Sequence, residues 1–316
     1  MNDLQIGTSR TSNGIIGLPS STGMEVAPEE PLRAIVINRP TAQMIETYRL
    51  PKPKDQMSEQ EINNLIMSPV PQGQKVLCKI TRKRDKFGKF YPLYELFIEE
   101  RDNNGEQIRT FLMSARKKKK SKSSHYIITT EKLTSSSTPK TIVGRVRSNF
   151  LGTAFVIYSH GKNPFKHEPD STDLPLREEL GSDPNILGFK GPRKMTILLI
   201  GMMISGERPE FRPKEESETL IGKFRNGDKR DILVLHNKSP QWNEDTRSYV
   251  LNFSGRVTLA SVKNFQIVHD NDLDYIIMQF GRVSEDSFTM DFMYPMCPIQ
   301  AFAIALTSFD AKLACE

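Results

Sequence analysis

PIQAFAIALTSFDAKLACE, residues Pro298–Glu316, is the stretch that decides the fold of this chain. Its alanines and leucines favour a helix, and Pro298 suits the first helical position. A helix that is hydrophobic on nearly every side must be buried on nearly every side. Between Ile299 and Cys315 the polar residues are Gln300, Thr307, Ser308, Asp310 and Lys312. We therefore predict a C-terminal helix that other elements surround.

A membrane-spanning helix is the rival interpretation of this stretch. Such a helix needs about 20 consecutive apolar residues. Asp310 and Lys312 interrupt the apolar run before that length is reached. We therefore expect the core of a globular domain.

The first part of the chain differs from the rest in composition and in hydrophobic periodicity. Residues 1–72 are rich in Pro, Ser, Thr, Gln and Asn and show little hydrophobic periodicity. Such segments bury too little apolar surface to fold alone. We predict a mostly disordered tail over residues 1–72, with one short helical or docking segment at Ser58–Met67, and a domain over residues 73–316.

The domain reads as a series of short strands. Runs rich in β-branched and aromatic residues follow one another, and turn residues close each run. Few amphipathic helices separate them, although one short helix is predicted near Leu174–Leu180, so parallel βαβ units are not expected. The predicted strands are Lys75–Thr81, Phe90–Glu99, Gln107–Met113, His125–Thr129, Thr141–Arg147, Thr153–Ser159, Lys194–Met203, Glu218–Phe224, Asp231–His236, Ser248–Phe253, Val262–His269, Asp274–Phe280 and Ser287–Met293.

The strands and the helix together indicate one architecture. An eleven-stranded antiparallel can encloses a central helix, whereas an eight-stranded barrel is filled by side chains alone. We predict a mainly β fold, a closed antiparallel barrel of about twelve strands around the central hydrophobic C-terminal helix.

Composition limits the class of partner and compartment. The formal net charge is +6 over 316 residues, which favours an anionic partner. The three cysteines are odd in number and lie in apolar surroundings, which indicates reduced thiols and an intracellular protein. The N-terminal sequence lacks the basic start and apolar core of a signal peptide.

Enzyme signatures are missing from the sequence. It contains no GxxxxGK[ST], GxGxxG, HExxH, GxSxG or CxxC motif, and its five histidines lack ligand spacing. We therefore predict no catalytic residue, no metal site and no cofactor.

Two cationic features remain. Arg145 and Arg147 alternate along a predicted strand and so share one face, where they could clamp a phosphate. On the residues alone, two ordinary outward-facing arginines are the simpler interpretation. The second feature is a basic run in a predicted loop, either a solvated loop or an anion-binding patch. It consists of Arg116, Lys117, Lys118, Lys119, Lys120 and Lys122.

Several long strings resemble the tubby and tubby-like proteins. They include FSGRVTLASVKNFQIVH (Phe253–His269), MQFGRVSEDSFTMDFMYPMC (Met278–Cys297), AFAIALTSFDAKLACE (Ala301–Glu316) and GRVRSNFLGTAFVIY (Gly144–Tyr158). The resemblance spans roughly Lys75 to Glu316. It implies twelve antiparallel strands closed around a C-terminal hydrophobic helix.

The resemblance also implies a function. Tubby domains bind phosphoinositides, chiefly phosphatidylinositol 4,5-bisphosphate, at the inner plasma membrane. It assigns the headgroup to Arg145, Arg147 and Arg177, with His125 at a position where relatives have Asn. Relatives typically have Lys where this chain has Arg145. A histidine at that contact indicates some pH dependence.

The resulting expectation is a monomeric, non-enzymatic adaptor in the cytoplasm and on the plasma membrane. Protein cargo or trafficking machinery would bind elsewhere, and the basic run would add long-range attraction to the membrane. Relatives extend this role to delivering receptors to cilia. The alternative is a nuclear DNA-binding or transcription-modulating protein that uses Lys117–Lys120.

Overall fold

The computed structural model describes residues 45–84, 92–102, 104–118, 121, 123–134, 137–165, 174–184, 195–245 and 247–310, apart from the side chains of Ser248 and Tyr249. It contains three helices, α1 (Glu59–Met67), α2 (Leu220–Arg225) and α3 (Pro298–Ser308), and short 3-10 turns at Lys54–Gln56 and Glu216–Glu218. The strands are β1 (Glu46–Thr47), β2 (Gln74–Lys83), β3 (Leu93–Arg101), β4 (Gln107–Lys117), β5 (His125–Thr129), β6 (Gly144–Ser148), β7 (Phe155–Ser159), β8 (Glu179–Asp183), β9 (Thr196–Ile200), β10 (Ile232–Asn237), β11 (Gln241–Asn243), β12 (Ser248–Val250), β13 (Phe265–Val268), β14 (Met278–Ser284) and β15 (Ser287–Met293).

Twelve of these strands form a closed antiparallel barrel, which confirms the predicted fold. The order around the barrel is β2-β15-β14-β13-β10-β9-β8-β7-β6-β5-β4-β3, and β3 pairs again with β2. β1 adds a short parallel edge to β2, and β11 and β12 form a separate hairpin. Closure leaves the barrel without the exposed edges that promote aggregation.

The barrel surrounds α3. Every residue of α3 is buried, as the unbroken hydrophobic pattern predicts. Polar groups of α3 find partners inside the fold. Gln300 Nε2 donates to the carbonyl of Leu180 at 2.7 Å, and Thr307 Oγ1 donates to the carbonyl of Ile304 at 2.8 Å. The helix is therefore the core on which the strands pack.

Part of the segment that the sequence placed in the tail packs on this core. Ser58 caps α1 through a hydrogen bond from the backbone N–H of Glu61, and α1 coincides with the helix predicted at residues 58–67. Ile66 and Val70 are buried, and the N–H of Val70 donates to the carbonyl of Met296 at 3.1 Å. Residues 45–72 thus contribute to the core, and residues 1–44 lie outside the described part of the chain.

Two predicted elements are wrong. The strand predicted at Glu218–Phe224 is instead α2 with the turn before it. The hydroxyl of Thr219 accepts from the N–H of Gly222 and caps a helix that buries Leu220. The helix predicted at Leu174–Leu180 is instead extended backbone that enters β8. There the N–H of Arg177 donates to the carbonyl of Lys162, so tertiary pairing overrides the local helical preference.

The cysteines agree with the predicted reduced thiols where they are described. Cys78 and Cys297 are buried and free. Burial raises the pKa of both thiols, which keeps them in the unreactive protonated form. Cys315 lies outside the described residues.

β8 carries a buried carboxylate. Glu179 Oε1 accepts from the Ser182 hydroxyl at 2.6 Å, and Oε2 accepts from the N–H of Leu220 in α2 at 3.3 Å. Burial raises the pKa of Glu179 to about 7, although these hydrogen bonds and Arg177 favour the charged form. The carboxyl therefore ties α2 to the barrel and can change its charge near neutral pH.

We predict that Leu306→Ala, in the last turn of the buried α3, lowers the free energy of unfolding by about 2–5 kcal/mol. The physical reason is the loss of apolar contacts on all sides of the helix. Leu273→Ala is the matched control, because Leu273 is exposed and its loss should change stability by no more than about 0.5 kcal/mol. Urea denaturation of both variants measures the difference. Equal effects would contradict the central role of α3.

We predict that Glu179→Gln changes how stability depends on pH. Because its pKa is raised, the wild-type carboxyl adds to the free energy of unfolding in full below its ordinary pKa of 4.5. This stabilisation is lost as pH rises through about 7. The variant has no such charge to bury. Its free energy of unfolding relative to wild type should therefore increase by about 3 kcal/mol between pH 4.5 and pH 8.

Urea denaturation across that pH range tests the Glu179 prediction. Ser182→Ala removes a hydrogen bond that favours the carboxylate, so in that variant the same transition should move to higher pH. The prediction is wrong if the difference in free energy of unfolding between Glu179→Gln and wild type stays constant with pH.

Candidate functional site

β6 presents two arginines on the outer face of the barrel. Its residues alternate, so Gly144 and Val146 point inward and are buried, while Arg145 is half-buried and Arg147 is exposed. Gly144 lies against α3: a Cβ there would be 2.7 Å from Ile299 Cδ1. The close helix on one side of β6 thus fixes the strand that carries the arginines on the other.

Strand register places two ring side chains on the same face. His125 of β5 lies opposite Arg147, and Tyr158 of β7 lies opposite Arg145. Residues directly opposite one another in antiparallel strands share a face. His125 and Tyr158 are both only 7% exposed. They therefore flank the arginines as largely desolvated walls.

Arg177 reaches this face from the segment that leads into β8. Its guanidinium carbon lies 3.7 Å from the centroid of the Tyr158 ring and 5.6 Å from that of Phe165. The backbone at Gly161 makes room for this segment, because a Cβ there would be 2.7 Å from both Arg177 Cα and Pro175 O. The stacked rings hold the guanidinium in one orientation.

The three guanidinium groups lack protein counter-ions. Within the described ranges, the side chains of Arg145, Arg147 and Arg177 form no hydrogen bond and no ion pair with the protein. Burial and then the charge of Arg147 lower the pKa of Arg145. Burial first and then Arg147 and Arg145 lower the pKa of Arg177, against the opposing effects of Tyr158 and of the buried Glu179 carboxyl. Among the described residues the cluster is therefore a positive site without a salt bridge, and the acid that acts on it, Glu179, is buried and has a raised pKa.

His125 faces the same cluster. Burial, followed by the charges of Arg147, Lys118 and Arg145, lowers its pKa to about 4. In this structure the ring is therefore neutral from pH 5 upward. Among the described residues, His125 Nε2 and Ser124 Oγ are buried polar atoms without a hydrogen-bond partner. Of the two, His125 lies on the face of the arginines, opposite Arg147, where its neutral ring can hydrogen-bond an anion.

The basic run behaves differently from this cluster. Arg116 donates to the backbone carbonyls of Thr134 and Ser137, and Lys117 forms an ion pair with Asp310. These two side chains make contacts within the barrel and are therefore not free to bind an anion. Lys118 is exposed and lies close enough to affect the pKa of His125. Lys119, Lys120 and Lys122 lie outside the described residues.

The fold thus brings together Arg145 and Arg147, which strand alternation had paired, with Arg177 and His125, which the family resemblance had implied. Sequence reasoning missed the roles of Tyr158 and Phe165. The alternation of FVIYS in β7 could have indicated that Tyr158 points outward, but no local signal indicates that a distant arginine stacks on it. The cation–π contact depends on the pairing of β6, β7 and β8.

Two features are absent from the described part of the chain. None of its helices has both the length and the apolar character of a membrane-spanning helix. Nor do its His, Cys, Asp and Glu residues form a group of three or more that could hold a metal ion.

Comparison with known proteins agrees with this architecture. The sequence model of the Tub family matches residues 66–311. The chain is 48% identical to Tubby-related protein 3 of Mus musculus over 263 residues, covering 81% of this chain and 56% of that protein. It is 44% identical to Tubby-related protein 1 of Homo sapiens over 273 residues, covering 85% and 48% respectively.

An insect relative gives the same result. The chain is 48% identical to Protein king tubby of Drosophila grimshawi over 260 residues, covering 81% of this chain and 56% of that protein. The match therefore spans about half the length of these relatives and most of this chain. Together with the closed twelve-stranded barrel around a buried helix, these matches show that the chain belongs to the Tub family.

Proposed function

We propose that the chain is a non-enzymatic, phosphoinositide-binding protein that attaches to the inner leaflet of the plasma membrane by holding the headgroup of phosphatidylinositol 4,5-bisphosphate. The observation that carries the proposal is the cluster of Arg145, Arg147 and Arg177, whose side chains form no salt bridge in the described part of the chain. Assembling three like charges is unfavourable unless an anion binds them.

The geometry suits phosphate groups on one ring. Arginine donates planar pairs of hydrogen bonds that match phosphate oxygens, and charged hydrogen bonds of this kind contribute roughly 1.5–3 kcal/mol each. Arg145 and Arg147 come from one strand, whereas Arg177 comes from a segment held by Tyr158. Cations that reach the same face from separate segments can hold more than one phosphate.

The proposed biological role is that of an adaptor. The site lies on the outer face of the barrel, so a bound headgroup would hold the chain peripherally on the membrane. Enzymatic loss of a headgroup phosphate would weaken binding and release the chain to the cytoplasm. As an adaptor, the monomeric chain would bind protein cargo or trafficking machinery at another surface. It would deliver membrane receptors, including receptors of cilia.

A nuclear DNA-binding role is the competing function. It relies on the basic run, but Arg116 and Lys117 are engaged in contacts within the barrel. Of the described helices, α3 is buried, α1 carries no Lys or Arg, and α2, which carries Lys223 and Arg225, is only six residues long. None of them is suited to lie along a major groove. These observations favour the lipid over the nucleic acid.

We predict that Arg145→Ala combined with Arg147→Ala abolishes selective binding to vesicles that contain phosphatidylinositol 4,5-bisphosphate. Two charged contacts to phosphate are lost, so affinity should fall at least a hundredfold by an order-of-magnitude estimate. Co-sedimentation of the full chain with these vesicles, and with charge-matched phosphatidylserine vesicles, provides the measurement.

Arg225→Ala combined with Arg230→Ala is the charge-matched control, because both arginines are exposed and lie outside the site. This control should bind nearly as tightly as the wild type. If both double variants weaken binding equally, or if duplex DNA displaces the wild type from the vesicles, general charge controls binding and the headgroup site is wrong.

We predict that His125→Asn does not change how vesicle binding depends on pH between about pH 6 and pH 8. The pKa of His125 is about 4, so the ring stays neutral over that range in the free chain. Any pH dependence shared by the two proteins then belongs to the phosphate groups. Vesicle titrations at several pH values test this. A rise in wild-type affinity below pH 7 that the variant lacks would show that binding protonates His125.

A further inference from the structure

The turn between β6 and β7 presents two large apolar side chains to solvent. Phe150 is 76% exposed and Leu151 is 61% exposed. Single exposed apolar residues are common on protein surfaces. Here two neighbours occupy the tip of one turn, and the turn begins two residues after Arg147. We call Phe150 and Leu151 the apolar tip.

The turn that carries the apolar tip is held by its own hydrogen bonds. Asn149 Oδ1 accepts from the N–H groups of Thr153 at 2.8 Å and Ala154 at 3.2 Å, and the N–H of Asn149 donates to the carbonyl of Ala154 at 2.9 Å. Gly152 takes the left-handed conformation, with φ of 71°, that closes the turn. The tip is thus presented to solvent by a fixed backbone.

The surroundings of the tip are cationic. At the base of the turn, the N–H of Ser148 donates to the carbonyl of Ser124 at 2.8 Å, which joins the turn to the residue before His125. Arg147, Lys118 and Arg145 are the charges that act on His125 at this end of β5 and β6. An apolar tip beside basic side chains matches a membrane with anionic headgroups, where apolar groups enter the hydrocarbon boundary and cations stay at the surface.

We propose that the apolar tip inserts into the hydrocarbon boundary of the membrane while the arginine cluster holds a phosphorylated headgroup above it. This inference rests on the proposed headgroup site and adds a second point of attachment. A single weak anchor gives only reversible membrane binding, whereas two linked anchors bind far more tightly. The tip therefore supplies affinity for the bilayer, and the arginines supply selectivity for the headgroup.

The chain offers a matched control at another exposed turn. Ile204 is 96% exposed and Met203 precedes it, in a turn closed by a hydrogen bond from the N–H of Gly206 to the carbonyl of Met203. Strands β6 to β9 alternate in direction, so the end of β9 lies at the opposite end of the barrel from the end of β6. Met203→Ser with Ile204→Ser removes comparable apolar surface far from the headgroup site.

The first test compares three full-length proteins: the wild type, Phe150→Ser with Leu151→Ser, and the control. Each is titrated with phosphatidylcholine vesicles containing phosphatidylinositol 4,5-bisphosphate and, separately, with soluble inositol 1,4,5-trisphosphate. We expect the tip variant to bind vesicles roughly tenfold to hundredfold more weakly, from the apolar surface lost. Its affinity for the soluble headgroup should match the wild type, and the control should match in both titrations.

The second test observes insertion directly. Trp242 is the single tryptophan of the chain, so Phe150→Trp in a Trp242→Phe background reports on the tip alone. We expect its emission to shift to the blue on vesicle addition and to be quenched by brominated lipid acyl chains. If the tryptophan emission stays that of a solvent-exposed indole while vesicle binding is normal, the inference is wrong. The tip would then be a contact surface for a protein partner.

The outcomes separate this inference from the proposed function. If the tip variant retains wild-type affinity for the vesicles, insertion of the tip is wrong and the headgroup site stands. The same holds if the tip variant loses affinity equally for vesicles and for the soluble headgroup. Insertion without headgroup selectivity, unaffected by Arg145→Ala with Arg147→Ala, overturns the proposed headgroup site and supports the tip. A wild-type chain that binds none of these vesicles overturns both.

Discussion

Burial of one hydrophobic helix on all sides is the constraint on which the rest of the structure depends. α3 has no polar stripe, so no single sheet face could cover it. Twelve strands closed in a ring cover it completely and leave no free edge. The hydroxyls of Thr307 and Ser308 donate to carbonyls of α3 itself, whereas Gln300 donates to the carbonyl of Leu180 in β8 and so ties the helix to the barrel.

The same helix positions the candidate site from behind. Gly144 brings β6 close to Ile299 of α3, and the alternation of the strand then points Arg145 and Arg147 outward. The outer face is therefore as well ordered as the core that supports it. A binding site on such a rigid element loses little conformational entropy when it takes a ligand.

The arginine cluster departs from the rules that stabilise the rest of the barrel. Elsewhere in the barrel several arginines are paired with buried carboxylates, as Arg256 is with Asp291 and Glu99. Arg145, Arg147 and Arg177 form no such ion pair in the described residues, and only the guanidinium of Arg177 stacks on Tyr158. Local departures of this kind are expected where a protein must bind something else. The exposed Phe150 and Leu151 are a second departure at the same end of the barrel.

The sequence by itself determined the buried helix, most strands and the shared face of Arg145 and Arg147, because hydrophobic periodicity and strand alternation are local properties. The sequence did not predict β8, because its residues ELGSD include no β-branched side chain. It predicted a strand at α2, where the Thr219 side chain caps a helix instead. Only the tertiary structure decided the stacking of Arg177 on Tyr158 and the low pKa of His125. Both depend on which distant segments lie side by side, and desolvation and charge act through space rather than along the chain.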